Sequence, residues 1–440
     1  MPQDVFEPLV ARIRQVRPCY SVGKVVEVST NALQVVGLNR VAALGDVIDL
    51  GDGLSGEVVR VDPAGCLVMA EGTTAGLRLG APARHLGPRL IAPGKHWIGR
   101  VIDPDGRPID GRPLFPGTTA RALHAPPPSP TARRGLGQRL DTGLAVFDTV
   151  LPLAQGQRIG LFAGSGVGKS RLLSRLARGV GADVVVIGLI GERGREVRDF
   201  LEDTLGAEGL ARSVVVAATS DRSALTRARA AHTMMTVAEY FRDQGAHVLM
   251  LADSITRFAE AQREVAAATG EAASLRGFPP SMAQQIMSLC ERAGPGAEGQ
   301  GDITAILSVL VAGSDMEEPV ADVMRGVLDG HVVLDRKIAE RGRYPAVSLL
   351  RSVSRSLPGV ATEEENRLIA LVRRYLGAYD KTELMLQAGL YAEGHDPVTD
   401  TAVRLWPALD AFLASDSQGG AAEAFATLQS LLEPEASPAD

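Results

Sequence analysis

Residues 158–172 run from a short apolar stretch through a glycine-rich turn into a helix that opens with Lys169 and Ser170. This is the make-up of a phosphate cradle. Across Ala163, Gly164, Ser165, Gly166, Val167 and Gly168 a curled backbone can aim successive N–H groups at one concavity, and the glycines permit the curl. Lys169 brings a point charge for the β and γ phosphates of a nucleotide and Ser170 a hydroxyl for Mg²⁺, with Arg171 following at the same corner. The usual motif has glycine where Ala163 stands, a change its looser form allows. The order of strand, turn, Lys-Ser and helix predicts binding of a nucleoside triphosphate rather than a chance glycine turn.

Hydrolysis needs a further group that can position or polarise water. Glu192 follows the apolar run 184–190 in Gly191-Glu192-Arg193-Gly194-Arg195-Glu196, at the end of a strand expected to lie beside the phosphate-loop strand. Open parallel sheets put ligands at the carboxyl ends of their strands, so a carboxylate there can reach a γ-phosphate. An ordinary Glu192–Arg193 loop ion pair is the competing reading. Asp253 closes the apolar run 248–252, as expected of a carboxylate that holds Mg²⁺ through water. It is also placed to cap a helix starting near Ser254.

Alternating apolar runs and helical stretches position these groups. The runs 159–162, 184–190, 214–217, 248–252 and 303–311, with helices between, predict an α/β unit with a mostly parallel sheet. Before it, five β-type runs (24–28, 33–36, 47–50, 57–61 and 66–70) broken by Gly, Asn and Asp predict a small barrel. Turn signals at Asp103-Pro104-Asp105-Gly106 and Asp110-Gly111 suggest a hairpin within 98–113, leading to an extended segment through the prolines at 126–130. Beyond Leu357 the periodicity is helical. At the other end Val5, Phe6, Leu9, Val10, Ile13 and Val16 share one helical face, which suits either docking to a partner or packing on the chain's own domain.

Composition narrows the function. The 440 residues carry a net charge of −6, against broad nucleic-acid binding, and residues 361–440 hold 5 basic and 14 acidic residues. Between Ser21 and His96 there is no Phe, Tyr or Trp on which a base could stack, so the barrel is not expected to bind nucleic acid. Cys19, Cys66 and Cys290 are odd in number and widely spaced, which fits a reducing cytoplasm. No apolar run approaches the ~20 residues of a membrane span, and Asp4 and Glu7 do not suit a signal peptide.

Residues 163–170, 191–195, Ala218-Thr219-Ser220-Asp221, Asp253-Ser254-Ile255-Thr256-Arg257 with Gln262-Arg263-Glu264, and Gly277-Phe278-Pro279-Pro280-Ser281 together resemble the catalytic subunits of rotary ATPases. Within that superfamily the wording of 160–170 is most similar to the type III protein export ATPases, the flagellar branch above all. The resemblance is close over 99–358 and weaker at either end, where Trp406-Pro407 and the alanine-rich acidic close depart from the pattern. It implies a RecA-like P-loop ATPase core (93–358) between an N-terminal β-barrel (21–92) and a C-terminal helical domain (359–440), with residues 1–20 as a docking helix. By the same resemblance Glu192 is the catalytic carboxylate, Asp253 the Mg²⁺-associated aspartate, Tyr344 the ring that stacks on adenine, and Arg355 an arginine that reaches into the neighbouring subunit's site.

The implied function is Mg²⁺-ATP hydrolysis by a homohexamer that energises or regulates flagellar protein export. A virulence injectisome is the nearest alternative. The implied partners are ATP, a stator-like regulator at the N-terminal helix, a coiled-coil stalk protein in the pore, and the export gate, chaperones and export substrates. The implied place is the cytoplasm, peripheral to the inner-membrane export apparatus. Two other readings remain: an RNA translocase, which the aromatic-free barrel disfavours, and a non-catalytic nucleotide-binding subunit, which Glu192 disfavours.

Overall fold

The computed structural model describes residues 19–273, 277–311, 316–394 and 396–433. The helix expected at 4–17 and the tail from 434 lie outside the described residues.

Six strands close the barrel: β1 (Ser21–Val28), β2 (Ala32–Val36), β3 (Asp46–Gly51), β4 (Leu54–Asp62), β5 (Gly65–Ala70) and β6 (Pro82–Pro88), in the order β1-β2-β5-β4-β3-β6. Alternation drives the closure. Val25, Leu33, Val35, Ile48, Val58 and Val68 point inward and are buried together, while their sequence neighbours stay outside this cluster, Met69 packing instead into the core of the adjoining sheet. The sequence signals five of these strands. β6, with a proline at each end and Ala83 as its buried apolar residue, carries no β signal of its own and is held by pairing to both β1 and β3.

The central sheet contains β7 (Arg100–Ile102), β8 (Arg158–Ala163), β9 (Val184–Glu192), β10 (Ser213–Thr219), β11 (Val248–Asp253), β12 (Asp302–Leu310), β13 (Gly330–Leu334) and β14 (Val353–Ser354). Their order is β14-β13-β8-β12-β11-β9-β10-β7, all parallel except for β14. The runs are continuously apolar because both faces are covered. Along β9, Val184, Val186 and Ile190 join the core formed with helices α2 (Ala224–Arg242) and α3 (Ile255–Thr269). Val185, Ile187 and Leu189 join the opposite core under α1 (Lys169–Gly179).

One expectation is corrected here. β9 does not lie beside the phosphate-loop strand, because β11 and β12 stand between it and β8, which is flanked by β12 and β13. The segment 98–113 does form the expected hairpin, with an antiparallel bridge between Ile102 and Pro108 and backbone hydrogen bonds from the Asp103 N–H to the Arg107 carbonyl and from the Ile109 N–H to the Val101 carbonyl. Its first arm is drawn into the sheet as β7, and Arg100 holds the return by donating to Asp110 at 2.7 and 2.8 Å.

Three helices follow: α4 (Glu363–Gln387), α5 (Pro397–Ala414) and α6 (Gly420–Leu432). They share the core of α1. Leu405, Leu409, Phe412, Phe425 and Leu428 are buried in the same cluster as Leu172, Leu173 and Leu176. Thr362 caps α4 in a capping box with Glu365, and Asp396 caps α5 by accepting from Val398 and Thr399. None of the helices in the described residues is long and apolar enough to cross a membrane.

Candidate nucleotide site

A cleft of about 1060 Å³ opens at the carboxyl edge of the sheet. Ala163, Gly164, Ser165, Gly166, Gly168, Lys169, Ser170 and Arg171 line it, and Glu192 and Asp253 face them. The loop geometry depends on two glycines. Gly166 (φ 76°) and Gly168 (φ 86°) adopt the left-handed conformation, and Gly168 is the N-cap of α1, so the helix's free N–H groups face the cleft. Val167 behaves differently from its neighbours: its side chain is turned inward and buried in the core beneath α1.

Lys169 crosses the cleft to pair with Asp253, and Ser308 donates to the same carboxylate oxygen at 2.9 Å. The capping role considered for Asp253 falls to Ser254, whose hydroxyl accepts from the Arg257 N–H. That division leaves the aspartate side chain committed to the cleft.

Glu192 reaches the cleft by a kink. Strand register shifts between Ile190 and Glu192, and Gly191 between them has φ 71°, so the carboxyl swings off the end of β9. Burial, then the negative Asp253, push the Glu192 carboxyl up to about 7, and Lys169 pulls the other way. The protonated Glu192 donates to Glu196, which is held below the usual carboxylate range by that bond. The simple Glu192–Arg193 ion pair is not formed; Arg193 lies 3.7 Å from Glu196 instead.

The two remaining candidates lie elsewhere. The Tyr344 ring, 38% exposed, packs over the start of α1, where a Cβ on Gly168 would come within 3.1 Å of it. Arg355 is exposed and outside the lining of its own chain's cleft, where it donates to the carbonyls of Leu328 (3.1 Å) and Arg325 (3.4 Å).

Comparison with known proteins decides the family. The nucleotide-binding domain of the ATP synthase alpha/beta family matches residues 143–354, and the C-terminal domain of the type III secretion ATPase EscN matches 361–432. The flagellum-specific ATP synthase of Caulobacter vibrioides is 43% identical over 97% of this chain and 99% of its own. The type 3 secretion system ATPase of Xanthomonas euvesicatoria is 42% identical over 89% of each chain. The assembled EscN of enteropathogenic E. coli, solved with its central stalk EscO, superposes with a TM-score of 0.85 at 36% identity, covering 93% of this chain and all of that one. The chain belongs to the flagellar and type III secretion ATPase family.

Family membership extends further toward the C-terminus than the sequence wording suggests, since the match to the EscN C-terminal domain runs through α4, α5 and α6 despite Trp406-Pro407. The cleft also holds residues to which the sequence reading gave no role. Arg257 packs against Gly191 and donates to Glu260 at 2.8 Å, and Arg227 donates to both oxygens of Glu264 at 2.8 and 2.9 Å. Arg257 was visible as the last residue of the Asp253–Arg257 run, one helical turn beyond the aspartate. Arg227, on α2, has no sequence signal pointing to it.

The donor set suits Mg²⁺. The Ser170 hydroxyl and Asp253 carboxylate share the cleft, and among the described residues no cluster of three or more His, Cys, Asp or Glu forms a ready-made metal cage. Mg²⁺ needs no such cage, because it keeps waters and takes ligands from the substrate's phosphates.

Proposed function

We propose that the chain hydrolyses Mg²⁺-ATP as a homohexamer and so energises or regulates protein export through a flagellar type III apparatus. The observation that carries the reading is the meeting of Lys169, Asp253 and Glu192 in one cleft at the mouth of the phosphate loop. The α1 N-terminus and Lys169 hold the β and γ phosphates, which requires Lys169 to leave Asp253. The freed Asp253 and Ser170 would hold Mg²⁺, which neutralises phosphate charge. Glu192, once ionised, orients the attacking water and accepts its proton. The aromatic face of Tyr344 stacks on adenine beside Gly168.

Arg355 is already outside its own cleft, which suits a group that acts on a neighbour. From there its guanidinium neutralises charge on the phosphoryl group being transferred, so hydrolysis depends on assembly. A stalk protein would occupy the pore as EscO does in the EscN assembly, and the hexamer would sit in the cytoplasm against the export apparatus. The barrel, core and helical modules meet near 92 and 358. A stator-like regulator at residues 4–17, and contacts with export gate, chaperones and substrates, complete the reading.

Flagellar export is preferred because the Caulobacter relative matches over nearly the whole of both chains. The injectisome reading rests on the similar identity of the Xanthomonas ATPase. Loss of motility with secretion of virulence substrates intact, on deletion of the gene, supports the first; the reverse supports the second.

The decisive biochemical test is ATP hydrolysis against protein concentration, with assembly state recorded, for the wild type and Arg355→Ala. Activity per chain should rise with hexamer formation, and the variant should assemble yet lose about a hundredfold or more in kcat. Activity independent of concentration and untouched by Arg355→Ala would point to a single-chain site.

A further inference from the structure

Tyr344 sits in a turn whose neighbours are tied to the C-terminal helices. Arg343, whose side chain is 8% exposed, folds back to donate to the carbonyls of Pro345 (3.3 Å) and Val347 (2.8 Å), bracing the turn from within. Its Nε also lies 3.2 Å from Oδ1 of Asp410 on α5, an ion pair whose angles fall short of a hydrogen bond. Arg341 donates to Glu383 on α4 at 3.1 Å and lies over the Trp406 ring, 5.6 Å from its centre. Trp406 is stacked on Tyr379 of α4 with ring centres 4.6 Å apart. The tyrosine is half exposed, but the turn that aims it is fixed on the side of α5.

The cleft itself is tied to the same region. Asp416, just past the end of α5, pairs with Arg175 of α1, and bridges to Leu144. The phosphate wall therefore has its own link, separate from the one at Asp410.

We propose that Asp410 is a positioning residue for nucleotide-base recognition: through Arg343 it holds the Tyr344 turn against Gly168, so this one contact from α5 sets affinity for the base without touching the phosphate contacts. The physical argument is charge and preorganisation. Arg343 is almost fully buried, and its guanidinium needs a nearby carboxylate to remain folded over its own turn. Without Asp410 the buried guanidinium loses a carboxylate partner and braces the turn less firmly, so part of the binding energy of the base goes to ordering it. The phosphate contacts come from the loop and α1, which Asp410 does not touch.

This inference rests on the reading that Tyr344 stacks on adenine, and the experiment separates the two. In the full-length assembled enzyme, Asp410→Asn should raise KM for ATP about fivefold or more with kcat within twofold. Asp410→Glu should restore most of the affinity. Inhibition by inorganic tripolyphosphate, which has no base, should be the same in wild type and Asp410→Asn. Tyr344→Ala should show the same split.

If Tyr344→Ala raises KM and Asp410→Asn does not, the positioning role is wrong while stacking stands. If Tyr344→Ala leaves KM unchanged, the stacking reading fails and the inference with it. Parallel weakening of tripolyphosphate in Asp410→Asn would mean general distortion of the cleft and also overturn the proposal.

A readout on the unsubstituted protein guards against misfolding. Trp406 is the more exposed of the two tryptophans, Trp97 being 2% exposed. ATP should change the tryptophan emission and tripolyphosphate should not, with the response lost in Trp406→Phe. No emission change at saturating ATP would count against coupling between the base turn and α5.

Discussion

The nucleotide cleft and the joint between barrel and core both bury several charges, but they balance them differently. At the joint, Arg229 on α2, 4% exposed, lies 2.9 Å from Glu57, 2.5 Å from Glu71 and 3.1 Å from Asp105. Arg89 meets Glu71 and Asp105 as well. Each carboxylate there touches a guanidinium. In the cleft Lys169 is taken by Asp253, and Glu192 is left half-buried with a second negative group nearby. A matched cluster fixes two domains together, whereas a surplus carboxylate with a raised pKa is a proton acceptor within working range.

The sharpest test of this contrast exchanges the two outcomes. Glu192→Gln should cut kcat about a thousandfold, the scale of lost general-base assistance, while the protein melts at the same temperature or higher. The stability sign follows from the raised pKa. Between about 4.5 and about 7 the folded chain holds a proton on Glu192 that the unfolded chain has lost, so this group's contribution falls as pH rises through that window. Calorimetry beside steady-state kinetics checks both halves. A large drop in melting temperature would make Glu192 a structural residue like those at the joint.

At the joint the reverse is expected. Arg229→Met leaves three carboxylates facing an apolar side chain and should cost about 3–5 kcal/mol of stability, read by denaturant unfolding. Hydrolysis per folded chain should stay within a few-fold of wild type, because none of these groups lines the nucleotide cleft. A stable variant with no hydrolysis would show that the joint takes part in the chemistry.

The same two regions differ in how far they can be read from sequence. Phosphate loop, Lys169 and Ser170 are contiguous, and one stretch of chain carries strand, turn and helix together, so periodicity and glycine spacing sufficed. Glu192 and Asp253 were legible as the ends of apolar runs. What differs is strand order: β9 was expected beside β8, but parallel strands need crossovers, and β11 and β12, formed later in the chain, insert between them. The Arg229 network has no local signal, since its partners lie 124 to 172 residues away. β6 was silent for a related reason: its place depends on the barrel's need to close rather than on its own apolar residues.

The smallest expected effect bears on how Glu192 came to be poised. With ATP well below KM, the proposed role of Glu192 as base has the rate climb with pH around a midpoint near 7, since kcat/KM reports the free enzyme and the base must be ionised. Glu196 contributes to that midpoint in two ways, accepting a hydrogen bond from the neutral acid and repelling the ionised form. Both favour the protonated state. Glu196→Ala should therefore move the limb toward lower pH, and by less than removal of the larger causes would, since burial and Asp253 act more strongly and remain. A shift to higher pH would mean that Glu196 instead stabilises the ionised base, by way of Arg193 or a bound water, and the assignment of surplus charge in the cleft would have to be redrawn.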